Sequence, residues 1–284
     1  SGPGLHTQHV ILLNSSLVPS LIQQVDRTPR ALPEKALPVW HFNTYNLSSG
    51  YEANTKLYLG DPRLQVAPLV VYVYGGPGQI QVTDNLVTTY EPGDETNALL
   101  YVDVRGSTGR GWKYRSAVYG KLGLYEAQDT VETVEHVLKK YPQLDRSRVL
   151  IYGWSFGGFL TLRMIQEAVP GFFKCALAVA PVTNFMIYDA TYTERYMGDA
   201  PASSYIDVSS NVSKFNATKL LLVHGLRDDN VHFHNSALFL EALQTAEIEF
   251  ETMVYPNLDH SLTPVRHHHL HKLFKSFVSR CFQT

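Results

Sequence analysis

One serine in this sequence is flanked in a way that could make it a nucleophile. Gly153-Trp154-Ser155-Phe156-Gly157-Gly158 sets Ser155 between glycines two residues to either side. A hydroxyl is exposed for attack when it sits in a tight, strained turn, and the turn closes only if the residues two away are small enough for backbones to pass. The same turn puts the N–H of Phe156 at a helix start, where it can stabilise an oxyanion. Such a serine needs a histidine as general base and an acid that orients it. Acids stand at Asp228 and Asp229, in His224-Gly225-Leu226-Arg227-Asp228-Asp229-Asn230, and either could instead cap a helix starting near His232. His260 follows, beside Asp259. Serine, acid, histidine is the chain order of triads built on a strand–turn–helix serine.

The elements that must position these groups are legible as short apolar runs. Leu69–Tyr74 is nearly continuous and stops at Gly75-Gly76-Pro77-Gly78; Ala98–Val104, Arg148–Gly153, Cys175–Ala180, Leu220–Val223 and Phe250–Tyr255 repeat the style. Runs of this kind suit strands buried on both faces of a mainly parallel sheet. Between them, Glu126–Tyr141, Phe156–Val169, Phe233–Thr245 and Arg266–Phe282 carry helical periodicity; in the last, Leu270, Leu273, Phe274, Phe277 and Val278 mark one buried face. Upstream, Val39–Tyr45 and Lys56–Leu59 read as strand pieces. Strands alternating with helices predict an α/β fold with a doubly wound sheet and helices on both faces. Sites in such sheets lie beyond the carboxyl ends of the strands. Ser155, Asp228 and His260 each follow a predicted strand, so all three fall at one edge. That placement separates His260 from the other histidines.

Composition bounds the rest. With 284 residues, 44% hydrophobic and 18% charged, the chain can bury a large core. The 24 Lys and Arg against 26 Asp and Glu leave no basic excess for gripping nucleic acid. No apolar run approaches the roughly 20 residues that span a bilayer. Ser1-Gly2-Pro3-Gly4 reads as a cut end of something longer. Residues 1–35, rich in proline and polar residues with an apolar stretch at Val10–Leu13, look peripheral. Cys175 and Cys281 fit one bridge or two buried thiols, and sequons start at Asn14, Asn46, Asn211 and Asn216. Together these lean towards an oxidising, extracellular compartment, either secreted or on the ectodomain of an anchored parent. His267, His268, His269 and His271 lack an accompanying carboxylate or cysteine and read as a polar helix face rather than a metal centre. Arg105-Gly106-Ser107-Thr108-Gly109-Arg110-Gly111 lacks the Gly-Lys-Ser/Thr of a phosphate loop. No metal or cofactor is expected.

The residues now quoted, with three further motifs, resemble the catalytic domain of the prolyl oligopeptidase clan, in its dipeptidyl peptidase IV branch. The motifs are Phe172-Phe173-Lys174-Cys175-Ala176 running on to Val179-Ala180-Pro181-Val182, Tyr192-Thr193-Glu194-Arg195-Tyr196-Met197-Gly198, and Asp228-Asp229-Asn230-Val231-His232-Phe233. The resemblance covers 1–284. It implies an α/β-hydrolase domain over residues 36–284, preceded in 1–35 by the end of a β-propeller and a linker. Carried over by position, Ser155 would be the nucleophile, Asp228 the orienting acid and His260 the base. The Tyr74 hydroxyl and the Phe156 N–H would form the oxyanion hole. Val182, Phe185, Tyr188, Tyr192 and Val231 would line a proline-accepting pocket, with Asn230 near the substrate carbonyl. Phe185 stands where the best-known members carry tryptophan, which keeps the aromatic wall and loses an indole N–H. The resemblance pairs Cys175 with Cys281 in a disulfide. It implies a peptide substrate with proline or alanine second, dipeptide release, and a homodimer formed partly through the last helix. The substrate amine would be held by two glutamates of the propeller, upstream of residue 1. A non-catalytic relative acting as an interaction partner, or a general esterase of the same fold, are the alternatives.

Overall fold

The computed structural model describes residues 7–13, 19–26, 39–60, 65–84, 96–263 and 268–283. The chain divides into two compact units, Ser1–Trp40 with Thr83–Thr89, and His41–Val82 with Tyr90–Thr284. In the first, strands β1 (Thr7–Leu13) and β2 (Pro19–Asp26) pair antiparallel, with a register shift between Val10 and Ile11.

The second unit is built on one eight-stranded sheet. Its strands are β3 (Trp40–Asn46), β4 (Glu52–Tyr58), β5 (Ala67–Val73), β6 (Ala98–Asp103), β7 (Leu144–Trp154), β8 (Cys175–Val179), β9 (Lys219–Gly225) and β10 (Glu251–Tyr255), in the order β10-β9-β8-β7-β5-β6-β4-β3. β4 runs antiparallel to β6, and the pairs from β6 through β5, β7, β8 and β9 to β10 are parallel. The register aligns Val73 with Gly153, Trp154 with Val179, Val179 with Val223, and Gly225 with Tyr255. The carboxyl ends of five strands therefore share one edge.

Helices are α1 (Trp112–Ser116), α2 (Tyr125–Lys140), α3 (Phe156–Glu167), α4 (Ala190–Met197), α5 (His234–Thr245) and α6 (His269–Gln283). Successive strand residues point to opposite faces, and here both faces are covered. Leu69, Val71, Val73, Val149 and Ile151 join the core with Val134, Val137, Phe159 and Leu162 of α2 and α3. On the other face Tyr152 of β7 meets Phe274 of α6 edge-on, centroids 5.4 Å apart. This accounts for the unbroken apolar runs. Two helices escape the periodicity. α4 falls inside the Tyr192–Gly198 motif, and only Thr193, Tyr196 and Met197 of it are buried, too few to set a period. α1 is a single short turn. The last helix starts at His269 rather than Arg266; residues 264–267, with His267, lie outside the described residues. Among the described residues no helix is long and apolar enough to cross a membrane.

A disulfide joins Cys175 of β8 to Cys281 of α6, 106 residues apart in sequence. In the chain-entropy account, closing a loop of that size stabilises the fold by about 4–5 kcal/mol. Replacing both cysteines with serine is expected to lower the urea midpoint and to steepen the slope, because the unfolded chain is no longer held compact. An unchanged midpoint would mean the cross-link restrains nothing in the unfolded chain.

Candidate active site

The turn around Ser155 is as abrupt as a strand-to-helix turn can be. β7 ends at Trp154 and α3 begins at Phe156, so Ser155 alone makes the connection, with φ 60° and ψ −117°. A non-glycine residue there is strained by about 1–3 kcal/mol and persists only if its surroundings insist on it. Its own N–H donates to the Val179 carbonyl at 2.8 Å, and its carbonyl accepts the first helical bond, from the Phe159 N–H at 3.1 Å. The flanking glycines let three backbones pass. A Cβ on Gly153 would lie 2.1 Å from the Gly157 carbonyl oxygen, and one on Gly157 would lie 2.3 Å from that of Val73.

Two loops beyond the neighbouring strands carry the acid and the histidine. After β9 the chain turns so that the Asp228 side chain is fully buried, while Asp229 is exposed. That difference separates the two candidate acids. Asp228 Oδ1 accepts the backbone N–H groups of Asn230 (3.0 Å) and Val231 (2.8 Å), and Oδ2 lies 2.7 Å from His260 Nδ1. The two loops are stitched together: the Leu226 and Arg227 N–H groups donate to the carbonyls of Tyr255 and Leu258. The Trp154 indole donates to the His260 carbonyl at 3.2 Å, tying the histidine loop to the residue before Ser155. Burial pushes the Asp228 carboxyl up, but the hydrogen bonds from His224 and His260 outweigh it and hold the group well below the usual carboxylate range. Asp228 is thus an anion wherever the protein is folded near neutrality.

His224 had no role in the sequence reading. It is fully buried at the end of β9, with Nε2 3.2 Å from Asp228 Oδ2. One polar residue in the otherwise apolar Leu220–His224 run is the signal that could have found it.

Tyr74 follows β5 at the same edge, its ring centroid 6.2 Å from that of Phe156. Burial, and then the neighbouring Tyr196, raise its pKa, so the phenol keeps its proton and can donate it to an anion. Beyond β8, Phe185 is 2% exposed, stacks on Tyr192 at 6.1 Å and 13°, and meets Phe156, Phe159 and Tyr188 edgewise or tilted. Val182 and Val231 are buried, whereas Tyr188 and Tyr192 are partly exposed. The Tyr188 hydroxyl donates to Asn230 Oδ1 at 2.7 Å, which links the aromatic segment to the Asp228 loop. Burial raises the pKa of both tyrosines. A phenyl ring at Phe185 has no polar atom to satisfy in this setting; an indole N–H would need an acceptor.

Of the sequons, Asn46, Asn211 and Asn216 are exposed, and Asn14 lies outside the described residues. Among the described residues no group of three or more His, Cys, Asp or Glu side chains is placed to hold a metal ion. His269 instead shares a 2.7 Å hydrogen bond with the Tyr255 hydroxyl.

The model of the prolyl oligopeptidase family, a family of serine peptidases, matches residues 94–284. The chain belongs to the prolyl oligopeptidase family. It is 47% identical over 265 residues to dipeptidyl peptidase family member 1 of Caenorhabditis elegans, covering 88% of this chain and 32% of that protein. It is 33% identical over 302 residues to dipeptidyl peptidase 4 of Sus scrofa, covering 99% of this chain and 38% of the relative. The crystal structure of Porphyromonas gingivalis dipeptidyl peptidase 4 superposes with a TM-score of 0.78 at 30% identity, over 86% of this chain and 35% of that one. The fold is that of the α/β hydrolases, and the resemblance to the dipeptidyl peptidase IV branch holds. The chain spans about a third of the length of these relatives.

Proposed function

We propose that this chain is the acyl-transfer domain of a dipeptidyl peptidase in which Ser155 is the nucleophile, His260 the general base and Asp228 the orienting acid. The observation that carries the reading is the strained serine of the β7–α3 turn, together with a histidine whose Nδ1 is held by a buried carboxylate and whose carbonyl accepts from the residue before that serine. Ser155 Oγ attacks the scissile carbonyl while its proton passes to His260 Nε2. The imidazolium, steadied by Asp228, returns that proton to the leaving amine as the C–N bond breaks. Water then hydrolyses the acyl-enzyme by the same proton path. The Tyr74 hydroxyl and the Phe156 N–H stabilise the tetrahedral oxyanion.

Val182, Phe185, Tyr188, Tyr192 and Val231 line the slot for the residue before the cleaved bond. An apolar, aromatic-walled slot suits a proline ring, or the smaller alanine, because neither brings polar atoms to be satisfied. Asn230 sits near the substrate carbonyl. Residues 1–35 are the end of a β-propeller that binds the substrate amine, so the parent protein, not this segment alone, releases dipeptides. The parent acts outside the cell, secreted or as an ectodomain, with sugar on exposed sequons, and pairs through α6.

The test is a fluorophosphonate probe on this chain at neutral pH, with the adduct mapped by mass spectrometry. Ser155 is expected to be modified, and Ser155→Ala and His260→Ala to lose at least about 10³-fold of the rate. Equal labelling of Ser155→Ala would discard the reading.

A further inference from the structure

We infer that His224 is a positioning residue for the acid of the triad, a second histidine that clamps Asp228 from its buried side while His260 takes it from the open side. The inference rests on the reading of Asp228 and His260 as partners of Ser155, and it goes beyond that reading by giving the acid a dedicated holder.

The polar partners of the ring fix the hydrogen on Nε2. Nε2 lies 2.8 Å from the Val231 carbonyl oxygen and 3.2 Å from Asp228 Oδ2. A carbonyl can only accept, so Nε2 carries hydrogen and shares it between the two oxygens. Nδ1 lies 2.7 Å from the Ser236 hydroxyl, which can donate or accept. Both ring nitrogens are thus satisfied in a site with no exposure at all. The Phe233 ring stands edge-on at 5.5 Å.

The consequence is a closed circuit around one carboxylate. Val231 accepts from His224 through its carbonyl and donates to Asp228 Oδ1 through its N–H. Oδ2 receives the ring N–H groups of both histidines. Without His224 the carboxylate keeps the two backbone N–H groups on Oδ1 and His260 on Oδ2; His224 adds the second donor to Oδ2, from the buried side. The titratable groups around the circuit are His260 and Asp259 from the loop after β10 and Tyr188 from the segment after β8, with the Ser236 hydroxyl contributed by α5. Asp259 is exposed, so its repulsion is screened. Loss of His224 would orphan the Val231 carbonyl, the Ser236 hydroxyl and one face of Oδ2.

The test compares His224→Leu, which fills the space without a donor, with His224→Gln, whose side-chain amide can return an N–H near the Nε2 position. Two readouts are taken on the whole chain: the labelling rate of Ser155 by a fluorophosphonate, and the titration of the Asp228 carboxyl by carbon NMR. His224→Leu is expected to slow labelling about 10- to 100-fold, the scale of losing an outer partner that orients a reacting group, and to move the Asp228 titration up towards the ordinary carboxylate range. His224→Gln is expected to restore most of both. A folded His224→Leu that labels at the parent rate with an unmoved Asp228 titration overturns the inference, as does a glutamine variant no better than leucine in either readout. If His224→Leu does not fold, Ser236→Ala decides: it strips Nδ1 of its partner and should slow labelling several-fold, and a parent rate counts against the clamp. Should the parent chain not label at Ser155, the proposed function fails. The carboxyl titration still decides whether His224 holds Asp228.

Discussion

Asp228→Asn is expected to slow modification of Ser155 by about 10⁴-fold at neutral pH while leaving the chain folded. The donors around the side chain give the reason. Oδ1 faces two backbone N–H groups and Oδ2 faces the Nδ1 of His260 and the Nε2 of His224. An amide must turn its NH2 towards one pair. Turned towards Asn230 and Val231, it opposes donor to donor on backbone that cannot rotate. Turned towards His260, it donates to Nδ1 and forces the proton onto Nε2, the nitrogen that must accept from serine. The second arrangement opposes only the His224 N–H, which keeps the Val231 carbonyl as its acceptor, and is the less costly, so the variant holds the base in the wrong tautomer. Asp229→Asn, at an exposed position one residue on, should change the rate less than about twofold. The second-order labelling rate, read beside the melting temperature, checks the pair. A folded Asp228→Asn within tenfold of the parent would remove Asp228 from the proposed triad.

The same carboxylate gives the stability a pH dependence of known sign. Its folded pKa lies below the unfolded value of about 3.9, so its contribution is fully present above that pH and is lost as pH falls through the folded value. Asp228→Asn should flatten that acid limb of the stability curve.

The pattern of what the sequence disclosed follows from which interactions are local. β5 through β10 were legible because a strand covered on both faces must be apolar throughout, and each helix between them repeats its buried residues at three- and four-residue steps. Their limits drifted: β7 begins at Leu144, four residues before the apolar run at Arg148, because sheet pairing extends into residues whose side chains are partly exposed. α4 carried end signals that periodicity could not supply, since the Asp189 side chain accepts the Tyr192 N–H at 2.8 Å and Gly198 follows the last helical residue. Ser155 was recognisable because its chemistry is encoded within five residues. Asp228 and Asp229 were not separable on local grounds, as both follow β9; burial separates them, and burial is a property of the assembled loops. His224 stood out only as the one polar residue of an apolar run, and its role was not legible for the same reason. Its partners Val231 and Ser236 are seven and twelve residues away, on a loop and on α5.

The strain at Ser155 predicts opposite outcomes for two substitutions two residues apart. Gly153→Ala introduces a Cβ 2.1 Å from the Gly157 carbonyl oxygen and 2.8 Å from that of Val73. Both obstacles are backbone, one in the first turn of α3 and one in β5, so no rotamer relieves them. Relaxation must separate strand from helix, at a cost of about 3 kcal/mol or more. For a chain of this size that lowers the melting temperature by roughly 6–12 °C. Labelling should fall with it, because opening the turn withdraws both the hydroxyl and the Phe156 N–H. Ser155→Gly does the reverse to the fold. Glycine reaches φ 60° and ψ −117° without a Cβ penalty, and the relieved strain of about 1–3 kcal/mol exceeds the extra unfolded-state entropy of about 0.5–1 kcal/mol. The variant should therefore melt at or above the parent temperature while losing all covalent labelling. If Ser155→Gly were instead destabilised, the turn would not be holding the serine against its own preference. A native turn that grows more stable when its hydroxyl is removed is held in place for the hydroxyl, and the cost of that geometry is met by the sheet and helix on either side.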